Sequence, residues 1–243
     1  MLPEFFKIGG FSLHSYGAMV AFGFAARMLM ALRLGRKAGI VAERVLDGVL
    51  WLMLSSIVGA RIFYVIEFHR DFTSIAEVFM IWKGGLVIYG GMIVGALALG
   101  IFSIRKKLSL LTVLDISAPA FSVGYAIGRI GCFLNGCCFG SECALPWAVI
   151  FPGQTAARHP VQLYSTVIWI AVFLILLELF DKKRFEGEVF SVGLVFYSVY
   201  RFSIEFLRMN PRYFMGLSEA QLISVGIFAM AIGLYGILNR RRG

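Results

Sequence analysis

Seven runs of about 20 largely apolar residues, at about 13–34, 46–66, 85–104, 113–134, 162–180, 187–206 and 217–238, leave this chain little choice of solvent. Each is long enough to cross a hydrocarbon core of ~30 Å as an α-helix. Helices are one of two backbone arrangements that satisfy their own hydrogen bonds there. With 59% hydrophobic and 15% charged residues and a mean hydropathy of +0.83, the 243 residues do not fit a soluble domain. The pattern predicts an all-α integral membrane protein, a bundle of seven transmembrane helices forming a single membrane domain over 1–243. The opening Met1–Phe11 carries Glu4 and lacks a basic head before an apolar centre, so it is expected to stay rather than be removed as a signal peptide.

Basic residues set the expected orientation. With the N-terminus outside (extracytoplasmic) and the C-terminus cytoplasmic, thirteen of the 23 Lys and Arg fall in inner segments. Six fall in outer ones and four lie within spans, a bias that follows the positive-inside rule. The net charge of +9 is then mostly loop charge facing anionic inner-leaflet lipid, and no nucleic-acid partner is implied. No internal repeat stands out. The long connection 135–161 is expected to be an extracytoplasmic loop, and loops of that length are commonly functional.

Four arginines, Arg27, Arg61, Arg129 and Arg201, interrupt the apolar runs. A charged side chain at the centre of an inserted helix costs roughly 2.5–3.5 kcal/mol, so such residues face a wet cavity or an ionic partner. The topology puts Arg61, Arg129 and Arg201 toward the outer surface, with His14, Tyr16, Tyr89, Asn135, His159, Gln162, Tyr164 and Glu205. Arg27, with Asp47 and Asp115, falls toward the inner half and reads as a packing or snorkelling residue. Arg201 and Glu205, at i and i+4, share a helix face. Such a pair either ties helices together or forms half of an anion site. Arg129 lies in Gly124-Tyr125-Ala126-Ile127-Gly128-Arg129-Ile130-Gly131, where small residues admit close approach and a guanidinium suits a phosphate.

Two further elements are ambiguous alone. Trp82-Lys83-Gly84-Gly85 through Tyr89-Gly90-Gly91 fits either an aromatic belt with close helix packing or a tyrosine freed to face a cavity. Cys132, Cys137, Cys138 and Cys143 lie within twelve residues on the outer side. One or two disulfides pinning the loop are expected there. The C-x4-C-C-x4-C spacing matches no common zinc or iron–sulfur pattern, so no metal site is expected. A quinone-linked thiol oxidase normally shows a C-x-x-C pair, which the chain lacks.

The segment Gly128-Arg129-Ile130-Gly131-Cys132-Phe133-Leu134-Asn135-Gly136, followed by Gly140, resembles the signature of bacterial prolipoprotein diacylglyceryl transferases. His14-Ser15-Tyr16-Gly17, Gly59-Ala60-Arg61, the paired glycines around Tyr89, Arg158-His159-Pro160-Val161-Gln162-Leu163-Tyr164 and Tyr200-Arg201-Phe202-Ser203-Ile204-Glu205-Phe206 extend the resemblance in order along the chain.

The resemblance implies transfer of a diacylglyceryl group from phosphatidylglycerol to the lipobox cysteine of a prolipoprotein signal peptide. The products are a thioether and glycerol 1-phosphate. It further implies a bacterial cell inner (cytoplasmic) membrane location, membrane lipids as surroundings and no cofactor. Arg129 and Arg201 are then expected to hold the phosphate, with Glu205 orienting Arg201 and Arg61 assisting. Tyr16, Asn135, His14, His159 and Gly140 are expected around the substrates. The family's best-known members carry a histidine, a proposed base, where this chain has Tyr89, so Tyr89, Glu205 and His14 are the candidates for the thiol's proton. Cysteines replace an asparagine of the signature at Cys132 and its acidic residue at Cys137. The competing functions are a non-catalytic anionic-lipid binder or transporter, and a membrane thiol oxidoreductase using the cysteines.

Overall fold

The structure is a computed structural model and describes residues 4–8, 11–69, 72, 74–80 and 84–241. Trp82 and Lys83 lie outside the described residues. Two short strands, β1 (Glu4–Ile8) and β2 (Phe11–His14), form an antiparallel hairpin ahead of the first helix. Eight α-helices follow among the described residues: α1 (Ser15–Lys37), α2 (Ala42–Glu67), α3 (Ile75–Phe79), α4 (Ile88–Lys106), α5 (Leu110–Leu134), α6 (Val161–Lys182), α7 (Glu188–Ile204) and α8 (Glu219–Arg240). A 3-10 turn, Glu205–Leu207, extends α7.

Every expected apolar run carries a helix whose ends fall within a few residues of the expectation. Six of them, α1, α2, α5, α6, α7 with its 3-10 turn, and α8, are long and apolar enough to cross a membrane. Their outward residues fit that solvent. Along α2, Leu50, Leu54, Val58, Ile62 and Ile66 recur every four residues and are all exposed, a stripe suited to lipid rather than water. The hairpin and the five-residue α3 are additions to the all-helical expectation.

The chain divides into two compact units, Met1–Ala31 with Leu114–Gly243, and Leu32–Val113. In the second unit α2 packs along α4. A Cβ on Gly59 would stand 2.6 Å from the Gly90 carbonyl, and one on Gly90 2.5 Å from the Gly59 carbonyl. Only the missing side chains let these backbones approach so closely. Trp51 Nε1 donates to the Ala98 carbonyl at 3.0 Å, and Lys106 pairs with Asp47 at 3.0 Å. Arg105 and Lys106 close α4, where cations oppose the negative end of the helix dipole.

In the first unit, Asp115 shows how an intramembrane carboxylate is used. Fully buried on α5, it accepts from the backbone N–H groups of Gly187 and Phe190, each at 2.9 Å, and from Lys183 Nζ at 2.9 Å. It thereby caps the N-terminus of α7, which no side chain of its own caps. Glu188 accepts from Arg184 Nε at 2.9 Å and Nη2 at 2.6 Å. Helix α8 starts in a capping box, Ser218 with Gln221.

Candidate active site

The end of α7 turns an i, i+4 ion pair into a built array. Arg201 donates through Nη1 to Glu205 Oε2. The other carboxylate oxygen accepts from Asn210 Nδ2 at 2.6 Å and Ser218 Oγ at 2.9 Å. Glu205 is 3% exposed, so removing any one donor would leave buried charge poorly satisfied. Ser218 is also the N-cap of α8, so one hydroxyl locks the start of that helix and the carboxylate beneath Arg201. Both carboxylate oxygens of Glu205 are thus engaged, Oε2 by Arg201 and Oε1 by Asn210 and Ser218.

Arg129, on α5, is linked toward α7 by tyrosines. Its guanidinium carbon sits 5.5 Å above the Tyr125 ring and faces the Tyr200 hydroxyl and Cys132 sulfur. Tyr200, which precedes Arg201, donates to Ser165 Oγ at 2.7 Å and lies 3.3 Å from the Tyr125 hydroxyl. Arg129 Nε is buried without a hydrogen-bond partner. Tyr16, on the first turn of α1, lies against Gly131, where a Cβ would meet its ring at 3.6 Å, and it is 45% exposed. Arg27 stacks 5.3 Å from the Phe121 ring and over Gly124, and its Nε, like those of Arg129 and Arg158, is buried without a hydrogen-bond partner.

The long segment after α5 is held by backbone pairing and side-chain ties. Gly140 N–H donates to the His159 carbonyl at 2.9 Å, His159 N–H to Ser141 at 3.0 Å, and Cys143 N–H to Ala157 at 3.0 Å. Ser141 N–H donates to the Leu207 carbonyl at 2.8 Å, which fastens the segment to the end of α7. A Cβ on Gly140 would stand 2.6 Å from that same carbonyl. Gly140 therefore packs closely against the end of α7, with its N–H committed to the His159 carbonyl. Arg158 Nη2 pairs with Glu142 at 2.9 Å, and Phe139 stacks on Phe151 at 4.8 Å. His159 is half-buried, with Nδ1 3.5 Å from the Tyr164 hydroxyl, while Asn135 is exposed at the end of α5. His14 is exposed at the end of β2.

The expected disulfides are not what pins the segment, because all four cysteines are free thiols. Cys143 is taken toward Ala157 by the backbone pairing, away from the other three. Those three gather their sulfurs at the end of α5. The Cys138 thiol is pushed up by its hydrogen bond to the Cys132 sulfur and by burial, and burial pushes Cys137 up.

In the Leu32–Val113 unit, Arg61 is held by main-chain oxygens. It is 8% exposed, and all five of its N–H donors point at backbone carbonyls: Val78 at 2.8 Å, Gly84 at 2.7 Å, Gly85 at 2.9 Å, Glu77 at 2.6 Å and Met80 at 3.5 Å. Tyr64 and Phe72 cover its faces at 5.3 and 5.6 Å. Arg61 thereby ties α2 to carbonyls of α3, of Met80 and of Gly84 and Gly85. Tyr89 sits in the first turn of α4 and is 56% exposed.

Residues 3–237 match the family described as prolipoprotein diacylglyceryl transferase. A phosphatidylglycerol–prolipoprotein diacylglyceryl transferase 2 of Clostridium perfringens is 34% identical over 98% of this chain and 95% of its own length. The phosphatidylglycerol–prolipoprotein diacylglyceryl transferase of Thermosynechococcus vestitus is 35% identical over 96% of this chain and 90% of its own. That of Finegoldia magna is 34% identical over 93% and 92%. The chain belongs to the prolipoprotein diacylglyceryl transferase family.

As a member of the prolipoprotein diacylglyceryl transferases, the chain is a transferase, and its apolar helices make it a multi-pass membrane protein. The segment that resembles the family signature is the last two turns of α5 and the residues after it, where Arg129, Cys132 and Asn135 lie. Sequence reasoning missed Asn210, Ser218 and the Tyr125–Tyr200–Ser165 chain. Ser218 was open to detection, since Ser-x-x-Gln before an apolar run marks a helix start. The tyrosine chain had no such signal, since its members lie 35 and 75 residues apart.

Proposed function

We propose that this protein moves the sn-1,2-diacylglyceryl group of phosphatidylglycerol onto the lipobox cysteine thiol of prolipoproteins, forming a thioether and releasing glycerol 1-phosphate. The thiol loses its proton and its sulfur attacks the glyceryl carbon bonded to phosphate. The C–O bond breaks and the electron pair leaves with the phosphate. Arg129 and Arg201 hold that phosphate, and fixed positive charge where negative charge develops is the main source of acceleration in such a step. The observation that carries this reading is the contrast in hydrogen bonding among the outer arginines. Arg129 keeps a buried, unmet N–H beside Tyr200, and Arg201 is aimed by a carboxylate that Asn210 and Ser218 fix in place.

The rest of the assignment follows. Tyr16 and Asn135 bond the headgroup, and His159 lines the approach. Tyr89, His14 and Glu205 are the candidate acceptors for the thiol proton. An apolar groove of about 440 Å³ between α6 and α7, lined by Ile168, Val172, Phe196, Val199, Tyr200 and Ile204 among others, is fit for an acyl chain. Helix α4, 19 residues long with the apolar run Met92–Phe102, is the seventh span. The seven spans form one membrane domain in the inner membrane, with the N-terminus and residues 135–161 extracytoplasmic and the C-terminus cytoplasmic.

The test is direct. Purified protein, phosphatidylglycerol and a lipobox peptide are expected to yield a thioether-lipidated peptide and glycerol 1-phosphate in equal amounts. A peptide with serine in place of the cysteine should yield neither. Tight phosphatidylglycerol binding without turnover on the cysteine peptide would instead make the protein a lipid binder.

A further inference from the structure

Three thiols at the end of α5 form a cluster that the transfer reaction does not use. The sulfurs of Cys132, Cys137 and Cys138 all lie within 4.8 Å of one another, and those of Cys137 and Cys138 are 3.5 Å apart. The frame around them is built. Cys137 N–H donates to the Cys132 carbonyl at 3.1 Å. Fully buried Gln162 donates from α6 to the Cys137 carbonyl at 2.6 Å. Cys138 holds a left-handed backbone, φ 64°, which non-glycine residues rarely adopt. In that conformation its sulfur meets the other two.

Metal–thiolate bonds of about 2.3 Å place the sulfurs of a three-thiolate ion roughly 4 Å apart. The observed separations bracket that spacing, so an ion requires only side-chain adjustment. Among the described residues the group holds no histidine or carboxylate. An all-sulfur set selects soft cations over magnesium, calcium or manganese. Cys138 is exposed and gives an ion a way in. The Arg129 guanidinium facing the Cys132 sulfur offsets the negative charge of the loaded site.

We propose that Cys132, Cys137 and Cys138 form a binding site for a single soft d10 cation, Cu(I) or Zn(II), held as a trithiolate. Three S–H protons leave, three metal–sulfur bonds form and no electrons are transferred. The C-x4-C-C spacing gave no such signal because the third ligand depends on the backbone turn at Cys138. The site stands whether or not the protein is a transferase.

The experiment uses full-length, reduced protein in detergent titrated anaerobically with Cd(II) as the spectroscopic probe. A thiolate-to-metal charge-transfer band saturating at one equivalent is expected. Cys132→Ser, Cys137→Ser and Cys138→Ser should each weaken binding at least tenfold, and Cys143→Ser should leave it unchanged. Since a serine variant can misfold, maleimide labelling of the wild-type protein gives a second readout, in which bound metal is expected to protect three thiols and spare Cys143. No band at stoichiometric metal, equal loss with Cys143→Ser, or equal labelling of all four thiols in the presence of metal would overturn the site.

Discussion

Arg61 and Arg129 are both intramembrane arginines next to small residues, yet the two units of the molecule use them oppositely. In the Leu32–Val113 unit, Arg61 spends every N–H on main-chain carbonyls between Glu77 and Gly85. In the other unit, Arg129 sits among hydroxyls and keeps a buried N–H unmet. A charge in a membrane needs a partner. The question that separates structure from function is whether the fold itself supplies all of it.

The largest expected effect sharpens that contrast. Arg129→Ala and Arg201→Ala should each cut turnover by about 10²–10³-fold or more, the scale of losing one charge-stabilising donor. Arg129→Ala should leave thermal stability in detergent nearly unchanged, whereas Arg201→Ala, which takes the cation from buried Glu205, should also lower it. Arg129→Lys should recover little, because an ammonium lacks the planar fork. Arg61→Ala should show the reverse pattern. It frees five carbonyl acceptors, and a buried unsatisfied group costs about 1–3 kcal/mol, so the protein should lose melting temperature and yield together. Its activity per folded molecule should fall far less than that of the other two. If Arg61→Ala is instead stable and inactive, the contrast between the two arginines collapses.

Next in size is the support beneath Arg201. Glu205→Ala removes the shared acceptor of Arg201, Asn210 and Ser218. It should lower turnover by about tenfold to a hundredfold and also destabilise, since three donors lose their partner. Ser218→Ala breaks both the cap of α8 and one bond to Glu205 and should cost about 1 kcal/mol. Asn210→Ala tests the same carboxylate without touching the cap. A drop in turnover in Asn210→Ala without a change in melting temperature separates aiming of Arg201 from mere anchoring.

Much of this fold was open to reading from the chain and much of the site was not, for one physical reason. Apolar runs are local, so each expected span carries a helix with ends close to those anticipated. The Arg201–Glu205 pair is also local, at i and i+4. The hairpin had a signal, Gly9-Gly10 between short alternating runs, but it is too brief to compete with a search for spans. What stayed hidden depends on distant partners. Asp115 meets the backbone of residues 187 and 190, and Glu205 meets Ser218 across a turn. The partners of Arg61 are carbonyls 16 to 24 residues along the chain, in the five-residue α3 and the turn at Gly84 and Gly85, too short to show a periodicity. The cysteines failed as a disulfide expectation because backbone pairing carries Cys143 away from the rest.

Gly140 extends the comparison from charges to packing. Its virtual Cβ lies 2.6 Å from a backbone oxygen, that of Leu207, which cannot swing aside as a side chain would. Gly140→Ala should therefore destabilise by about 1–3 kcal/mol, the usual cost of overpacking. It should disturb turnover only through the neighbouring end of α7.

The smallest effect is expected at Tyr89. The glycines that follow it pack against α2, Gly90 against the Gly59 carbonyl and Gly91 against Ser56. They fix the start of α4 while the tyrosine ring stays 56% exposed. Tyr89→Phe keeps the ring and deletes one oxygen, so stability should hold within about 0.5 kcal/mol. Any change in rate is then chargeable to the hydroxyl. Turnover is expected to fall by no more than about 10²-fold, the low end of what a proton-transfer group contributes, and so by less than in Arg129→Ala. Retention of full activity would strike Tyr89 from the proton path and leave His14→Gln and Glu205→Gln as the deciding variants. It would also mean that the Leu32–Val113 unit contributes neither of its two outer candidates, Arg61 or Tyr89, to the chemistry.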